Sequence, residues 1–314
     1  MYGQFFVMFA MILTGYILRK IGLIKESMNE GLNNFILFFS FPCLVIENVG
    51  TLELNSRIIE MFIVMALLSF VITFGGTLLC RGFCALRKYP KRVRTITELS
   101  MNAPNSGFLG FPIVLALYGQ HGLLLFIASS FAFNIYMYGY AVASYHRFDE
   151  NRKKEKGAAV KIAAKTMINP NIIALFIGFA ISLLHLTIPA PAESFLNYMG
   201  GVATPMAMVY IGSSLTGTKF TEMFKNHIIW ESALMKLFVV PAAALAVVYF
   251  LPIDVLVKAC LVLMVAFPTA ALVPMLADME GKENDIGVQS LFFSTVLSMG
   301  TLLFWIFAIS RLLH

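Results

Sequence analysis

The sequence predicts an all-α polytopic membrane protein, with ten transmembrane helices arranged as two inverted five-helix repeats. Three observations lead there. Hydrophobic residues make up 59% of the 314 and charged residues only 13%, a balance no soluble domain carries. Apolar runs of bilayer-spanning length, about 20 residues, recur from one end of the chain to the other. Basic residues gather in alternate connections, and prolines and glycines recur in the same order in both halves.

Taken in order, the first run is Tyr2 to Leu18. No basic segment precedes it and Arg19 and Lys20 follow it, so it reads as an uncleaved span entering with its N-terminus outside. Leu32 to Val49 and Ile58 to Cys80 come next. Thr95 to Tyr118 is interrupted by MNAPNSGFLGFP at Met101 to Pro112, and Gly122 to Tyr145 closes the first half. The second half holds Met167 to Leu186, Phe195 to Leu215 and Ile228 to Leu251, with Lys236 near the middle of the last. Asp254 to Ala277 is interrupted by AFPTAALVP, and Ile286 to Ser310 ends the set. The expected divisions are a first repeat at 1–148, a basic linker at 149–166 and a second repeat at 167–314.

Odd-numbered connections carry nineteen Lys and Arg and even-numbered ones about two. The positive-inside rule makes the odd connections cytoplasmic. The expected placement is therefore a multi-pass protein of the plasma (inner) membrane with both termini outside the cytoplasm. Five spans per half turn the second half upside down relative to the first, the inverted-repeat plan of many secondary transporters. Internal matches support duplication. Pro104, Pro112 and Gly119 answer Pro268, Pro274 and Gly281, with seven residues from the second proline to the glycine in both. SSFAFN at Ser129 to Asn134 answers SLFFST at Ser290 to Thr295, and LNNFILFFSFP ending at Pro42 answers LNYMGGVATP ending at Pro205.

The interruptions carry the functional expectation. In hydrocarbon a free amide or carbonyl costs several kcal/mol, so broken backbone at membrane depth implies protein or a wet cavity that satisfies it. Pro104 and Pro112 remove helical donors, Gly107 and Gly110 permit unusual backbone, and Asn102, Asn105 and Ser106 supply side-chain partners. Pro268, Thr269, Ala270 and Pro274 form the counterpart in the ninth span. Half-helices that begin at midplane aim N–H groups and a positive dipole end at the gap, which suits an anion, a carboxylate above all. The alternative is a kinked helix whose polar residues only patch their own backbone.

Lys236 lies too deep to snorkel easily and needs a partner or a task. It could stabilise the anion site, replace a coupling cation, or bond carbonyls of the broken ninth span. Glu231, five positions earlier, lies about 140° round the helix and is not its expected partner. Asn134, Ser294 and Thr295 occupy equivalent places in the fifth and tenth spans, either lining the site or bonding between helices. Glu47, Glu98, Asp254 and Asp278 fall near helix ends, where hydration is expected. Cys43, Cys80, Cys84 and Cys260 read as small polarizable filler.

Together these residues resemble the auxin efflux carrier family in its bacterial branch. The resemblance rests on N-x-P-N-S-G-F-L-G-x-P-I at Asn102 to Ile113, GYILRKIGLI at Gly15 to Ile24 with Phe41 and Pro42, TPMAMVYIGSSL at Thr204 to Leu215, and K-x-x-x-x-P at Lys236 to Pro241. It implies the broken crossover helices 4 and 9 of the bile-acid symporter and sodium/proton antiporter folds. A scaffold from helices 1, 2, 6 and 7 would hold a mobile core from helices 3–5 and 8–10 that slides in elevator fashion. Family members carry organic anions: auxin in plants, with dicarboxylates such as malate or malonate among suggested bacterial substrates. By position the family's substrate role falls on Pro104, Asn105 and Gly107, with Pro268 and Thr269. Plant members have an asparagine shortly after the ninth-span proline, where this chain has Ala271 and Leu272. The long cytoplasmic loop of plant members is here a short basic linker.

The expected function is a secondary carrier of a small organic anion, not an enzyme. His121, His146, His185, His227 and His314 sit at span ends and form no proteolytic set. A cation/proton antiporter of the same architecture, or an anion channel or sensor, is the alternative. No cofactor is expected beyond a coupling ion, sodium or proton. Expected partners are the organic anion and the lipid bilayer, with a homodimer through the scaffold as the candidate assembly and no nucleic acid.

Overall fold

A computed structural model describes residues 2–145, 169–217 and 220–313, and these are helical between short turns, with no strand among them. The expected linker at 149–166 lies outside the described residues, as do most of the basic residues of the fifth connection. In chain order the helices are α1 (Tyr2–Lys20), α2 (Glu26–Phe35), α3 (Phe41–Gly50), α4 (Ser56–Leu86), α5 (Lys91–Asn102), α6 (Phe111–Ile135) and α7 (Val142–Tyr145). Then come α8 (Pro170–Leu183), α9 (Ala190–Gly201), α10 (Ala203–Ser214), α11 (Phe220–Lys225), α12 (His227–Leu234), α13 (Val240–Tyr249), α14 (Val255–Ala266), α15 (Leu272–Met279) and α16 (Asp285–Leu312).

Among the described residues, five runs are long and apolar enough to cross a bilayer: Ser27–Gly50, Ser56–Leu86, Ser106–Tyr145, His227–Tyr249 and Asp285–Leu312. Pro170–Leu183 and Val255–Ala266 are shorter apolar helices. The protein is a helical membrane protein with several spans, and its side chains are sorted accordingly. Along α4, Ile63, Leu67, Val71 and Leu78 are exposed while Ser69, Thr73 and Thr77 are buried. Apolar groups face outward and polar groups inward because the surrounding solvent is lipid.

Three π-helical turns share one relation to proline. Ile36–Ser40, Ser106–Gly110 and Met235–Val239 each end two residues before a proline, Pro42, Pro112 and Pro241. A proline ring clashes with the carbonyl four residues back and offers it no N–H. Widening the turn moves that carbonyl aside. It still needs a donor, and Leu237, four residues before Pro241, receives one from the indole Nε1 of Trp305 at 2.6 Å.

The described residues form two compact units, 2–62 with 107–127 and 169–217, and 63–106 with 128–145 and 220–313. In the first, α1 packs along α10, and α3 against α8 and α9. Glycines set these approaches. A Cβ at Gly212 would overlap the Ile12 carbonyl oxygen, and one at Gly15 the Val209 carbonyl oxygen. Gly200 likewise meets the backbone of Leu44 and Gly178 the side chain of Val49. Hydroxyls bridge the helices: Ser40 donates to Met199 O at 2.5 Å and Ser213 to Asn29 Oδ1 at 2.6 Å.

The second unit gathers α4, α5, the later turns of α6 and α11 to α16 around a core that includes Leu99, Ala103, Tyr136, Leu237 and Val273. Phe74 meets Tyr136 and Tyr140 edge-on, at ring-centroid distances of 6.0 and 6.2 Å, and the two tyrosines stack on each other at 5.3 Å.

Substituting Gly212 by alanine forces α1 and α10 apart. We expect a loss of about 1–3 kcal/mol, read as a lower melting temperature of the detergent-solubilised protein. Gly75→Ala is the control, since a Cβ there meets nothing within 4 Å, and it should melt as the wild type does.

Candidate functional site

Two helices of the second unit stop short for the same reason. α5 ends at Asn102, where Ala103 turns extended with ψ 115°, and α14 ends at Ala266, where Phe267 turns extended with ψ 150°. Each extended residue precedes a proline, Pro104 or Pro268, whose Cδ disfavours helical backbone before it. The released strands of backbone then meet. Pro104 lies opposite Thr269 in an antiparallel bridge, with the Asn105 N–H donating to Pro268 O at 2.7 Å and the Ala270 N–H to Ala103 O at 2.9 Å.

Side chains complete what the prolines removed. Helical bonding would give the Ser100 carbonyl the N–H of residue 104, which proline lacks, and Thr269 Oγ1 donates there instead at 2.7 Å. The Thr269 N–H, four residues after Val265, goes to Ser294 Oγ at 3.0 Å. Val265 O takes its donor from Lys236 Nζ at 2.8 Å, and Asn102 O takes the same ammonium at 3.3 Å. The Lys236 side chain has no solvent exposure. The Asn102 side chain is itself fixed, its amide donating to Thr73 O at 2.8 Å and Thr77 Oγ1 at 2.9 Å. Gly76 makes room for it, since a Cβ there would overlap Asn102 Oδ1.

The geometry sorts the residues singled out in the sequence. The backbone bridge brings Pro104, Asn105, Pro268, Thr269 and Ala270 together, and Ser294 joins them through Thr269. Thr295 does not join: its hydroxyl returns to Leu291 O on its own helix at 2.7 Å. Asn134 is buried in α6 and Pro274 in α15. Gly107 and Pro112 belong to the first unit. Of the roles open to Lys236, the bond to a ninth-span carbonyl is present and extends to the fourth span. Glu231 turns elsewhere, accepting from Arg87 and from the hydroxyl of Tyr89. Burial, reinforced by that carboxylate, pushes the Tyr89 phenol pKa up.

One difference from the sequence reading concerns the N–H groups of the breaks. Those of Asn105, Thr269 and Ala270 are engaged inside the protein and do not face an open gap. The amide of Asn105 and the hydroxyl of Ser106 make no hydrogen bond among the described residues, although they belong to residues only 7% and 4% exposed. Ser100 Oγ and Asn102 Oδ1 also lack a partner among the described residues but are sealed from solvent, which leaves Asn105 and Ser106 as the groups offered to a ligand. The first unit offers an anion nothing comparable in its cavity of about 110 Å³, whose walls, Phe62, Leu124, Phe179 and Leu183 among them, are apolar throughout.

A family model described as membrane transport protein matches residues 1–306. The chain belongs to this membrane transport protein family. It is the auxin efflux carrier family of the sequence reading. The transporter is 24% identical to an uncharacterized transporter of Methanocaldococcus jannaschii, over 95% of this chain and 96% of the relative. It is 23% identical to a protein of Rhizobium meliloti named provisionally as a malonate transporter, over 66% of this chain and 64% of the relative. The lysosomal cholesterol signaling protein of Mus musculus is 24% identical over 74% of this chain and 28% of its own length. Membership in a transporter family argues against an enzyme.

The structure of the transporter corrects one placement. Glu98 is not hydrated at a helix end; it is 1% exposed, with Arg94 Nε 3.6 Å from Oε1 and the Tyr140 hydroxyl donating to Oε2 at 3.4 Å. Every residue of α5 from Thr95 to Asn102 is buried, so nearness to the start of this helix does not mean nearness to water. Arg94, one turn earlier, was the available signal. Asp254 does behave as a helix-end residue, its Oδ1 accepting from Leu256 N at 2.9 Å. Sequence reasoning also passed over Thr73, Thr77 and Ser100, which are small polar residues in apolar helices with no local pattern to mark them.

Ser294 and Thr295 are adjacent hydroxyls with different duties. Ser294→Ala orphans the buried Thr269 N–H and should cost about 1–3 kcal/mol. Thr295→Ala removes only a bond within its own helix and should shift the melting temperature much less. Equal effects would contradict the assignment.

Proposed function

We propose that this transporter is a secondary carrier of a small organic anion, a mono- or dicarboxylate, and that it works by alternating access. The observation that carries the reading is the pair of unbonded donors, Asn105 and Ser106, at the point where two interrupted helices pair their backbones. Both groups can donate to a carboxylate oxygen, and no acidic side chain is part of the break to repel it. The proposed substrate-binding set is Asn102, Pro104, Asn105, Ser106, Gly107, Pro112, Pro268, Thr269, Ala270 and Pro274. The provisional name of the Rhizobium meliloti relative makes malonate the first ligand to try.

The proposed architecture is ten spans in two inverted repeats with crossing broken helices. One support comes from the glycines matched between the halves. Gly119 and Gly281, each seven residues after its proline, both take a positive φ that favours glycine, +64° and +62°. The grouping of the chain supports elevator motion. One unit holds the first, second, sixth and seventh spans, the other holds most of the third and the eighth, ninth and tenth with the whole ninth-span interruption, and the fourth and fifth are divided between them. We place the protein in the plasma (inner) membrane with both termini outside, on the strength of the basic residues in its odd-numbered connections.

A second reading, a cation/proton exchanger, draws on Glu98. It is the weaker one. Arg94 already stands beside that carboxylate, and no second acidic residue is buried among the described residues.

The test is a thermal-shift screen of the purified protein against mono- and dicarboxylates, with and without sodium, followed by counterflow in proteoliposomes with the best ligand. A carboxylate should stabilise the protein and show saturable exchange. Asn105→Ala should weaken that ligand about tenfold, a loss near 1.4 kcal/mol, without lowering the melting temperature of the free protein. Unchanged affinity would remove Asn105 from the site, and flux without counterflow would favour a channel.

A further inference from the structure

Lys236 and Glu98 are the two charged side chains buried among the described residues, and Lys236 has no exposure at all. The lysine amine is held by main chain: Val265 O at 2.8 Å and Asn102 O at 3.3 Å. Val265 is one residue from the end of α14 and Asn102 is the last residue of α5. The final carbonyls of a helix carry roughly half a negative charge, so two such ends converge on one ammonium.

The carbonyls are committed to this geometry by their surroundings. The helical donor for Val265 O would be the Thr269 N–H, and Ser294 Oγ holds that group. Asn102 is pinned through its side chain by Thr73 and Thr77. With oxygen acceptors fixed in place and Lys236 wholly buried, the two carbonyls need a donor between them, and two partly negative helix ends favour a positive one. Carbonyl ends of interrupted helices bind free sodium or protons in other carriers, and here the chain supplies the charge itself.

We infer that Lys236 is a tethered cation filling a monovalent-cation site formed by the carbonyl ends of α5 and α14. The wild-type protein therefore needs no free alkali cation at this position. Removal of the amine opens a site for a small monovalent ion, ammonium or sodium. The inference deepens the carrier reading on the matter of coupling, and it rests on that reading only for its meaning in transport, since the site can be read without any substrate.

The test is the melting temperature of the purified full-length protein in chloride salts of choline, ammonium, sodium and potassium at equal ionic strength. The wild type should melt alike in all four. Lys236→Ala should melt several degrees lower in choline, and ammonium or sodium should restore most of the loss saturably. Lys236→Met keeps the apolar stem, fills the vacated volume and should not be rescued. Rescue of the alanine variant by choline as well, no rescue by any of the small ions, or selective stabilisation of the wild type by sodium would each overturn the inference. So would failure to recover folded Lys236→Ala even with ammonium present throughout purification. Absence of malonate counterflow in the wild type would count against the carrier reading and leave the melting result standing.

Discussion

Hydrocarbon offers a peptide group nothing to bond with, so a helix that stops inside a membrane must hand every freed N–H and carbonyl to another part of the protein. Two helices of this transporter stop among buried residues, at Asn102 and Ala266, and the arrangement of the second unit follows from how their loose ends are satisfied. The breaks bond to each other through Asn105 and Ala270. Thr269 covers the Ser100 carbonyl where Pro104 brings no hydrogen, Ser294 takes the Thr269 N–H, and Lys236 takes the carbonyls left at both helix ends. Hydroxyl, ammonium and backbone thus replace a missing helical turn on each side. Of the groups left over, the Asn105 amide and Ser106 hydroxyl are where chemistry with a ligand has room.

The first unit is held differently. Its helices approach through glycines so closely that backbone touches backbone, as at Gly15 and Gly212, which is how helices gain adhesion when lipid removes the hydrophobic incentive to associate. Its hydroxyls serve to link neighbouring helices, and its cavity carries no polar wall. Close packing resists deformation, whereas the second unit holds the paired backbone of the two breaks and both buried charges found among the described residues.

Much of this was legible in the sequence because hydrocarbon imposes strict rules. Apolar length marked the helices, and proline marked the places where two of them stop, with asparagine beside it in the first. The family followed from the same motifs. The tertiary use of small polar residues was not legible. Nothing local distinguishes Thr77, which holds Asn102, from Thr301 or Ser232, whose hydroxyls find no partner among the described residues. Burial of Glu98 escaped for a related reason: counting residues from a helix start measures distance along one element, and depth depends on the neighbours of that element. The engagement of the Asn105 and Ala270 N–H groups also lay beyond sequence, because a single chain position cannot reveal which of two breaks will satisfy the other.

The widened turns before Pro42, Pro112 and Pro241 have a consequence for how such chains change in length. A π turn holds one residue more than an α turn, so at Ile36–Ser40, Ser106–Gly110 and Met235–Val239 the chain carries a surplus that ordinary helix would reject. A deletion there can be absorbed by tightening the turn, leaving both flanking helices in register with everything they touch. The same deletion in the uninterrupted middle of α4 would rotate all that follows by about 100°, exchanging its lipid-facing leucines for its inward threonines.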